Sequence, residues 1–134
     1  MIKKISLLIV FVTGACWLAL AQEDTLKQSM KRGEEVYNQN CASCHMPDGE
    51  GAEIVCPPLA KTTYLKNQKR AIGIVLNGQE GEITVNGKQY NIPMPALNNL
   101  TDREVADVLN YVSNSWGNKY PMIQPAQVKS ERKP

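Results

Sequence analysis

Between Tyr37 and Gly49 the chain reads YNQNCASCHMPDG, and this stretch holds the only histidine among 134 residues. Cys41 and Cys44 are spaced as Cys-x-x-Cys, and His45 follows directly. Three chemistries use these residue types in this order. A redox dithiol of the thioredoxin kind opens a helix inside a βαβ pattern, and no such pattern precedes Cys41. A structural zinc needs about four ligands, and Cys56 could complete a Cys₃His set. C-x-x-C-H is also the spacing of covalent haem attachment, in which two thioethers hold the vinyl groups and the adjacent histidine reaches the iron from the same side. With the sole histidine placed here in a chain read as exported, haem attachment is the favoured reading.

Export is read from the first 21 residues. Lys3 and Lys4 give a positive start, Ile5–Leu18 is almost wholly apolar, and Ala19-Leu20-Ala21 is a small-x-small site. That is the pattern of a secretory signal peptide. The alternative is a retained membrane anchor, since the uncharged run Ile5–Ala21 has 17 residues, at the lower limit for spanning a bilayer. Lipidation of Cys16 is a third option, for which Thr13-Gly14-Ala15 is a poor lead-in. Cleavage leaves Cys41, Cys44 and Cys56, an odd number in an oxidising compartment, so at least one has no partner within the chain. Losing Lys3 and Lys4 takes the net charge from +2 to zero, with 13 basic and 13 acidic residues left. No basic surplus remains to bind nucleic acid.

A haem iron held by His45 needs a sixth ligand or an open site. Met30 falls on a helical stripe and reads as core, Met46 adjoins His45 and cannot reach the other face, and Met122 lies beyond the last helix. Met94 lies between Pro93 and Pro95, which stiffen the backbone and bar a helix. A thioether on a rigid loop suits a soft iron ligand, although a loop methionine can also simply fill a gap.

The elements that must position these groups are mostly helical. Thr25–Cys41 reads as a helix with Leu26, Met30, Gly33 and Tyr37 on one stripe. Met46–Lys61 is loop, punctuated by Pro47, Gly49, Gly51 and Pro57-Pro58. Gln68–Leu76 fits a second helix capped by Asn67 and stopped by Gly78, with Ala71, Ile72, Val75 and Leu76 inward. Glu82–Asn91 reads as a hairpin turning at Asn86-Gly87, which pairs Val85 with Lys88 and Ile83 with Tyr90 on one face. Thr101–Glu104 is a capping box, with Leu100 and Val105 as a staple. It opens a helix whose stripe is Val105, Val108, Leu109, Val112 and Trp116, ended by Gly117. Pro121–Pro134 reads as a polar tail with room for one helical turn.

With these residues in place, the chain resembles the class I c-type cytochromes, particularly small bacterial electron carriers, over about Ser29–Asn118. Gly33, Tyr37 and Cys41 match the family's glycine, aromatic and first haem cysteine at four-residue steps, and Tyr111 is similar to the aromatic that packs at that glycine. Pro57-Pro58-Leu59 matches its Pro-x-Leu loop, and Met94 its methionine before the last helix. ITVNGKQYNIPMP is similar to a hairpin form of the methionine loop, also found in cytochrome domains fused to redox enzymes. The resemblance implies an all-α cytochrome c fold, with three to four helices around one covalent haem c and a small hairpin before the methionine loop. It implies Cys41 and Cys44 as attachment sites, His45 and Met94 as iron ligands, and Pro57 as acceptor of the histidine's hydrogen bond. Leu59 and Tyr90 are expected to cover the haem. Residues 1–21 would be the signal peptide, 22–120 the cytochrome domain and 121–134 the tail. The implied role is single-electron transfer between redox proteins outside the cytoplasm, in the periplasm or its equivalent, with membrane association only if the leader is retained. A haem enzyme with an opening sixth site, or a subunit docked permanently in an oxidase or dehydrogenase, remains the alternative. Cys56 has no place in the family motif.

These readings predict a native protein that begins at Gln22 and carries the haem mass. Intact-mass spectrometry checks both, and a mass retaining Met1–Ala21 would establish the anchored form instead.

Overall fold

The computed structural model describes residues 24–132, so the leader expected over 1–21 lies outside the described residues. Helix α1 spans Leu26–Asn40, α2 Ala42–His45, α3 Gln68–Asn77, α4 Asp102–Val112 and α5 Pro125–Glu131. A 3-10 turn at Tyr64–Lys66 leads into α3, and the hairpin β1 (Ile83–Val85) and β2 (Lys88–Tyr90) lies between α3 and α4. The all-α class with a minor hairpin is what the sequence led one to expect. The described helices number five rather than three or four; the single-turn α2 and the C-terminal α5 account for the excess.

The caps form as the sequence requires. Thr25 and Gln28 exchange the two bonds of a capping box at the start of α1, and Thr101 and Glu104 do so for α4. Asn67 accepts from the Arg70 amide to start α3. The hairpin register is Val85 with Lys88 and Ile83 with Tyr90, fixed by the two-residue turn.

The inward face of α1 differs from the expected stripe. Ser29, Gly33 and Tyr37 are buried, whereas Leu26 and Met30 are half-buried. A polar cluster explains the rotation. The Ser29 hydroxyl donates to Asp107 Oδ1 at 2.6 Å and accepts from Asn110 Nδ2 at 2.9 Å. Arg32 adds bonds to Asp107 from Nε at 2.7 Å and Nη2 at 2.9 Å. These bonds, together with one to Asp24, push the Arg32 pKa above its already high ordinary value. A buried carboxylate without such partners would cost several kcal/mol, on the order of 3–5. So a serine faces inward where periodicity alone favours an apolar residue.

At the crossing of α1 and α4, a Cβ on Gly33 would stand 1.9 Å from the Asp107 carbonyl oxygen and 2.9 Å from Tyr111 Cβ. Only a residue without a side chain permits that approach. Beside it Tyr37, Tyr111 and Trp116 form a cluster with ring centroids 5.1–5.5 Å apart, a separation at which tilted aromatic pairs attract.

Helix α4 stops at Val112, short of the expected Trp116, and Trp116 adopts φ 50° outside it. The Asn118 side chain donates to the Val112 carbonyl at 2.8 Å, and Tyr120 N–H donates to the Ser113 carbonyl at 3.1 Å. These bonds end the helix and turn the chain back. The segment read as a polar tail packs onto the domain. Ile123 and Val128 are 1% and 0% exposed, and Asn110 bonds both the N–H and the carbonyl of Ile123. Two apolar residues among many polar ones are a weak pattern, yet enough when a buried asparagine closes the backbone beside them. Among the described residues no helix is long and apolar enough to cross a membrane.

Two glycine substitutions should move stability in opposite directions. Gly33→Ala overpacks the crossing and should destabilise by about 1–3 kcal/mol. Gly73→Ala, in α3 with nothing within 4 Å of the new Cβ, should stabilise by about 0.5–1 kcal/mol through helix propensity. Thermal unfolding of the two holoproteins measures both. Equal effects would mean that the α1–α4 contact is looser than described.

Candidate functional site

Helix α1 ends by delivering Cys41, whose N–H donates to the Tyr37 carbonyl at 2.8 Å. One more turn, α2, brings Cys44 and His45. Tyr37 is anchored there too, since its hydroxyl donates to the Met46 carbonyl at 2.6 Å. The loop that follows is tied back on the motif. Gly51 N–H donates to the His45 carbonyl at 3.0 Å, and the Gly49 carbonyl accepts from Leu59 and Ala60 at 2.7 and 2.9 Å. Asn118 braces the loop's far end by donating to the Leu59 carbonyl at 2.7 Å and accepting from the Thr62 N–H at 3.1 Å.

Inside this frame is a cavity of about 270 Å³, with Cys41, Cys44, His45, Pro57, Leu59 and Met94 all on its wall. Of the expected site residues, Tyr90 is the one not on that wall. Tyr90 is buried, but Ile83 and Val85 of β1 supply the hairpin's share of the lining. No residue of β2 is among those lining the cavity. Among the aromatics, Tyr64 lines the cavity, while Tyr37, Tyr111 and Trp116 belong to the cluster at the helix crossing.

His45 is buried, and its Nδ1 lies 3.0 Å from the Pro57 carbonyl. A carbonyl can only accept, so Nδ1 carries the proton and Nε2 the lone pair. Burial lowers the His45 pKa, with the Pro57 bond opposing, which keeps the imidazole neutral at neutral pH. No buried side-chain nitrogen or oxygen lacks a partner among the described residues. Nε2, which has no protein partner, therefore opens onto the cavity. Burial, and next the neighbouring Cys44, pushes the Cys41 thiol up to about 11, so it remains a thiol at neutral pH.

Met94 is held by its backbone. Its N–H donates to the Gln79 carbonyl at 2.9 Å and its carbonyl accepts from Gln79 N–H at 3.0 Å. The approach depends on Gly78, with φ 78°, where a Cβ would stand 2.6 Å from the Met94 carbonyl. Cys56 also lines the cavity. Burial, and next the charge of Cys44, raises its pKa. Gln79, Asn118 and the α4 residues Val108 and Leu109 complete the site and were not read as part of it from the sequence. A backbone pairing such as Gln79 with Met94 leaves no side-chain signature, and Val108 and Leu109 read equally well as ordinary core.

A family model described as Cytochrome c matches residues 30–116. The chain belongs to the cytochrome c family. Cytochrome c-552 of Thermus thermophilus is 38% identical over 105 residues, covering 75% of this chain and 65% of that protein. The cytochrome c subunit of the quinone-dependent alcohol dehydrogenase of Gluconobacter oxydans is 36% identical over 91 residues, covering 66% of this chain and 19% of that subunit. Cytochrome c6 of Cyanidium caldarium is 27% identical over 109 residues, 80% of this chain and 90% of that protein. The chain thus spans about two thirds of the first relative and about a fifth of the second.

Membership of the cytochrome c family implies a covalently bound haem c, and the cavity fits it. An apolar wall, two thiols one helical turn apart, a neutral imidazole with its free nitrogen inward and a thioether border one space. These are the donors a haem iron and its vinyl groups require. A zinc site finds no support, since no group of three or more candidate metal ligands occurs among the described residues.

Cys41→Ser or Cys44→Ser should leave at most one thioether and reduce holoprotein yield several-fold, whereas Cys56→Ser should leave yield and visible spectrum nearly unchanged. Acid–acetone extraction checks the attachment directly: haem should stay with the unaltered chain, and free extraction would overturn the covalent assignment.

Proposed function

We propose that this cytochrome is an exported single-electron carrier whose haem iron is held between His45 and Met94. When bound, the haem supplies one redox couple at iron. The chain's own contribution is to hold that couple in an apolar space and keep both ligands fixed. Pro57 orients the imidazole, the Gln79 pairing and two flanking prolines stiffen Met94, and Leu59 helps exclude water. A thioether ligand and an apolar surround both raise the reduction potential relative to harder, wetter ligation. Support for the carrier reading is that Met94 and His45 line one cavity in a chain with no second histidine. A peroxide-activating site would want an acid–base partner near an open iron position, and among the described residues no carboxylate, lysine or arginine lines the cavity.

Export is proposed from the leader pattern, and the partners proposed are larger redox proteins that give and take one electron. The relative in an alcohol dehydrogenase favours a second reading, in which the domain stays docked in a dehydrogenase assembly. Co-purification separates the two.

Met94→Ala separates carrier from enzyme. Losing the thioether should abolish the methionine-to-ferric-iron charge-transfer band, lower the potential, and open the iron to carbon monoxide and to some peroxide turnover. The same change at Met30, Met46 or Met122 should do none of this. If the unaltered protein already binds carbon monoxide rapidly and turns over peroxide, Met94 is not a stable ligand and the enzyme reading replaces the carrier.

A further inference from the structure

The family match ends at residue 116, yet the described chain continues to 132 and is bonded to the domain along most of that length. Asn118 and the Tyr120 hydroxyl hold Thr62 and Leu59, in the segment that follows Pro57. Gln68 Nε2 donates to the Pro121 carbonyl at 2.7 Å, and Ile123 is locked by Asn110. Helix α5 then seats Val128 in the core. Arg132, just past α5, reaches the segment that follows Met94. Its Nε donates to Asp102 Oδ1 at 2.6 Å, its Nη1 to the Asn98 carbonyl at 3.1 Å, and its Nη2 to the Leu100 carbonyl.

Between Met94 and α4, Leu100 is buried in the core and Leu97 packs against it, but few hydrogen bonds hold the segment. Pro95, Ala96, Asn98 and Asn99 are exposed. The backbone bonds are Leu97 N–H to the Val75 carbonyl at 2.8 Å and Leu100 N–H to the Leu97 carbonyl at 3.2 Å. Among the described residues no side chain other than Arg132 hydrogen-bonds to segment 95–100. The guanidinium suits this task, because its planar fork reaches three acceptors at once and stays charged at all accessible pH.

We propose that residues 117–132 form a strap and that Arg132 is a positioning residue for Met94, setting how readily the methionine segment opens. The inference rests on Met94 being the sixth ligand. Releasing that ligand requires residues 94–100 to move away from the cavity. Any bond that ties the segment to the closed domain lowers the population of the open form. A charge-assisted bond such as the part-buried one to Leu100 is worth roughly a tenfold factor or more. The strap therefore extends the hold on Met94 beyond the loop's own prolines and the Gln79 pairing.

Two readouts test this on the full-length holoprotein. In a pH titration of the methionine charge-transfer band, Arg132→Met should lower the midpoint of ligand exchange by about one unit, the equivalent of a tenfold larger open population. Arg132→Lys should recover part of that shift, and Lys129→Ala, on exposed α5 surface, should cause none. Amide hydrogen exchange gives the second readout. Arg132→Met should accelerate Met94 and Leu97 roughly tenfold and leave Val108 and Leu109 of α4 unchanged. If the midpoint and the loop amides stay put, or if loop and α4 amides accelerate equally, Arg132 does not position Met94 and the inference falls. A wild-type spectrum without the methionine band would instead defeat the ligand assignment, and the amide rates would still decide whether Arg132 holds the segment.

Discussion

The rest of this domain depends on one close contact, the crossing of α1 over α4 at Gly33. With the Asp107 backbone almost touching the Gly33 Cα, the two helices cannot slide or rotate without a clash. The polar cluster of Ser29, Asp107, Arg32 and Asn110 fixes their relative rotation, because the buried Ser29, Asp107 and Asn110 would be unpaired in any other register. With α1 held there, its C-terminal end has one place to go. Cys41 arrives at the cavity wall, Tyr37 reaches under the motif to the Met46 carbonyl, and α2 turns His45 toward Pro57.

The same crossing explains how a small domain can hold a large apolar space. Residues of α1, α2, the loop from Val55 to Leu59, α3, β1, the methionine loop and α4 all contribute to the wall. Emptying such a space would cost each of these elements its contacts, since an unfilled apolar cavity destabilises in proportion to its volume. Bound haem is thus part of the core as well as the redox centre. Attachment through Cys41 and Cys44, as the C-x-x-C-H motif indicates, would keep the core from being lost with the cofactor.

Much of this was legible in the residues. C-x-x-C-H, a lone histidine, Asn86-Gly87 and the Thr101–Glu104 box are local signals whose chemistry sits within a few residues, and each places an element or a donor without reference to distant chain. Pro57 was legible through family resemblance and Met94 already through its flanking prolines, and both lie on the cavity wall. What was not legible depends on long-range pairing. Ser29 faces inward because of a carboxylate 78 residues away, and periodicity favoured its neighbours Leu26 and Met30. Trp116 leaves the helix because Asn118 takes the Val112 carbonyl. Tyr90 was expected near the haem through the resemblance; it is buried, while Ile83 and Val85 of the paired strand line the cavity. The C-terminal segment looked polar because most of its side chains do face water, and its hold on the domain comes from backbone groups, asparagines and one arginine.

That this domain passes a single electron while its own side chains stay in place is tested most directly by electron self-exchange between its oxidised and reduced forms, followed by NMR line broadening. A protein that keeps His45 and Met94 on the iron in both states should be low-spin throughout and exchange electrons rapidly, and the methionine methyl resonance should carry the ligand's shift in each form. Slow exchange accompanied by a high-spin ferric signal, or a methionine resonance that leaves the iron in one oxidation state, would contradict it.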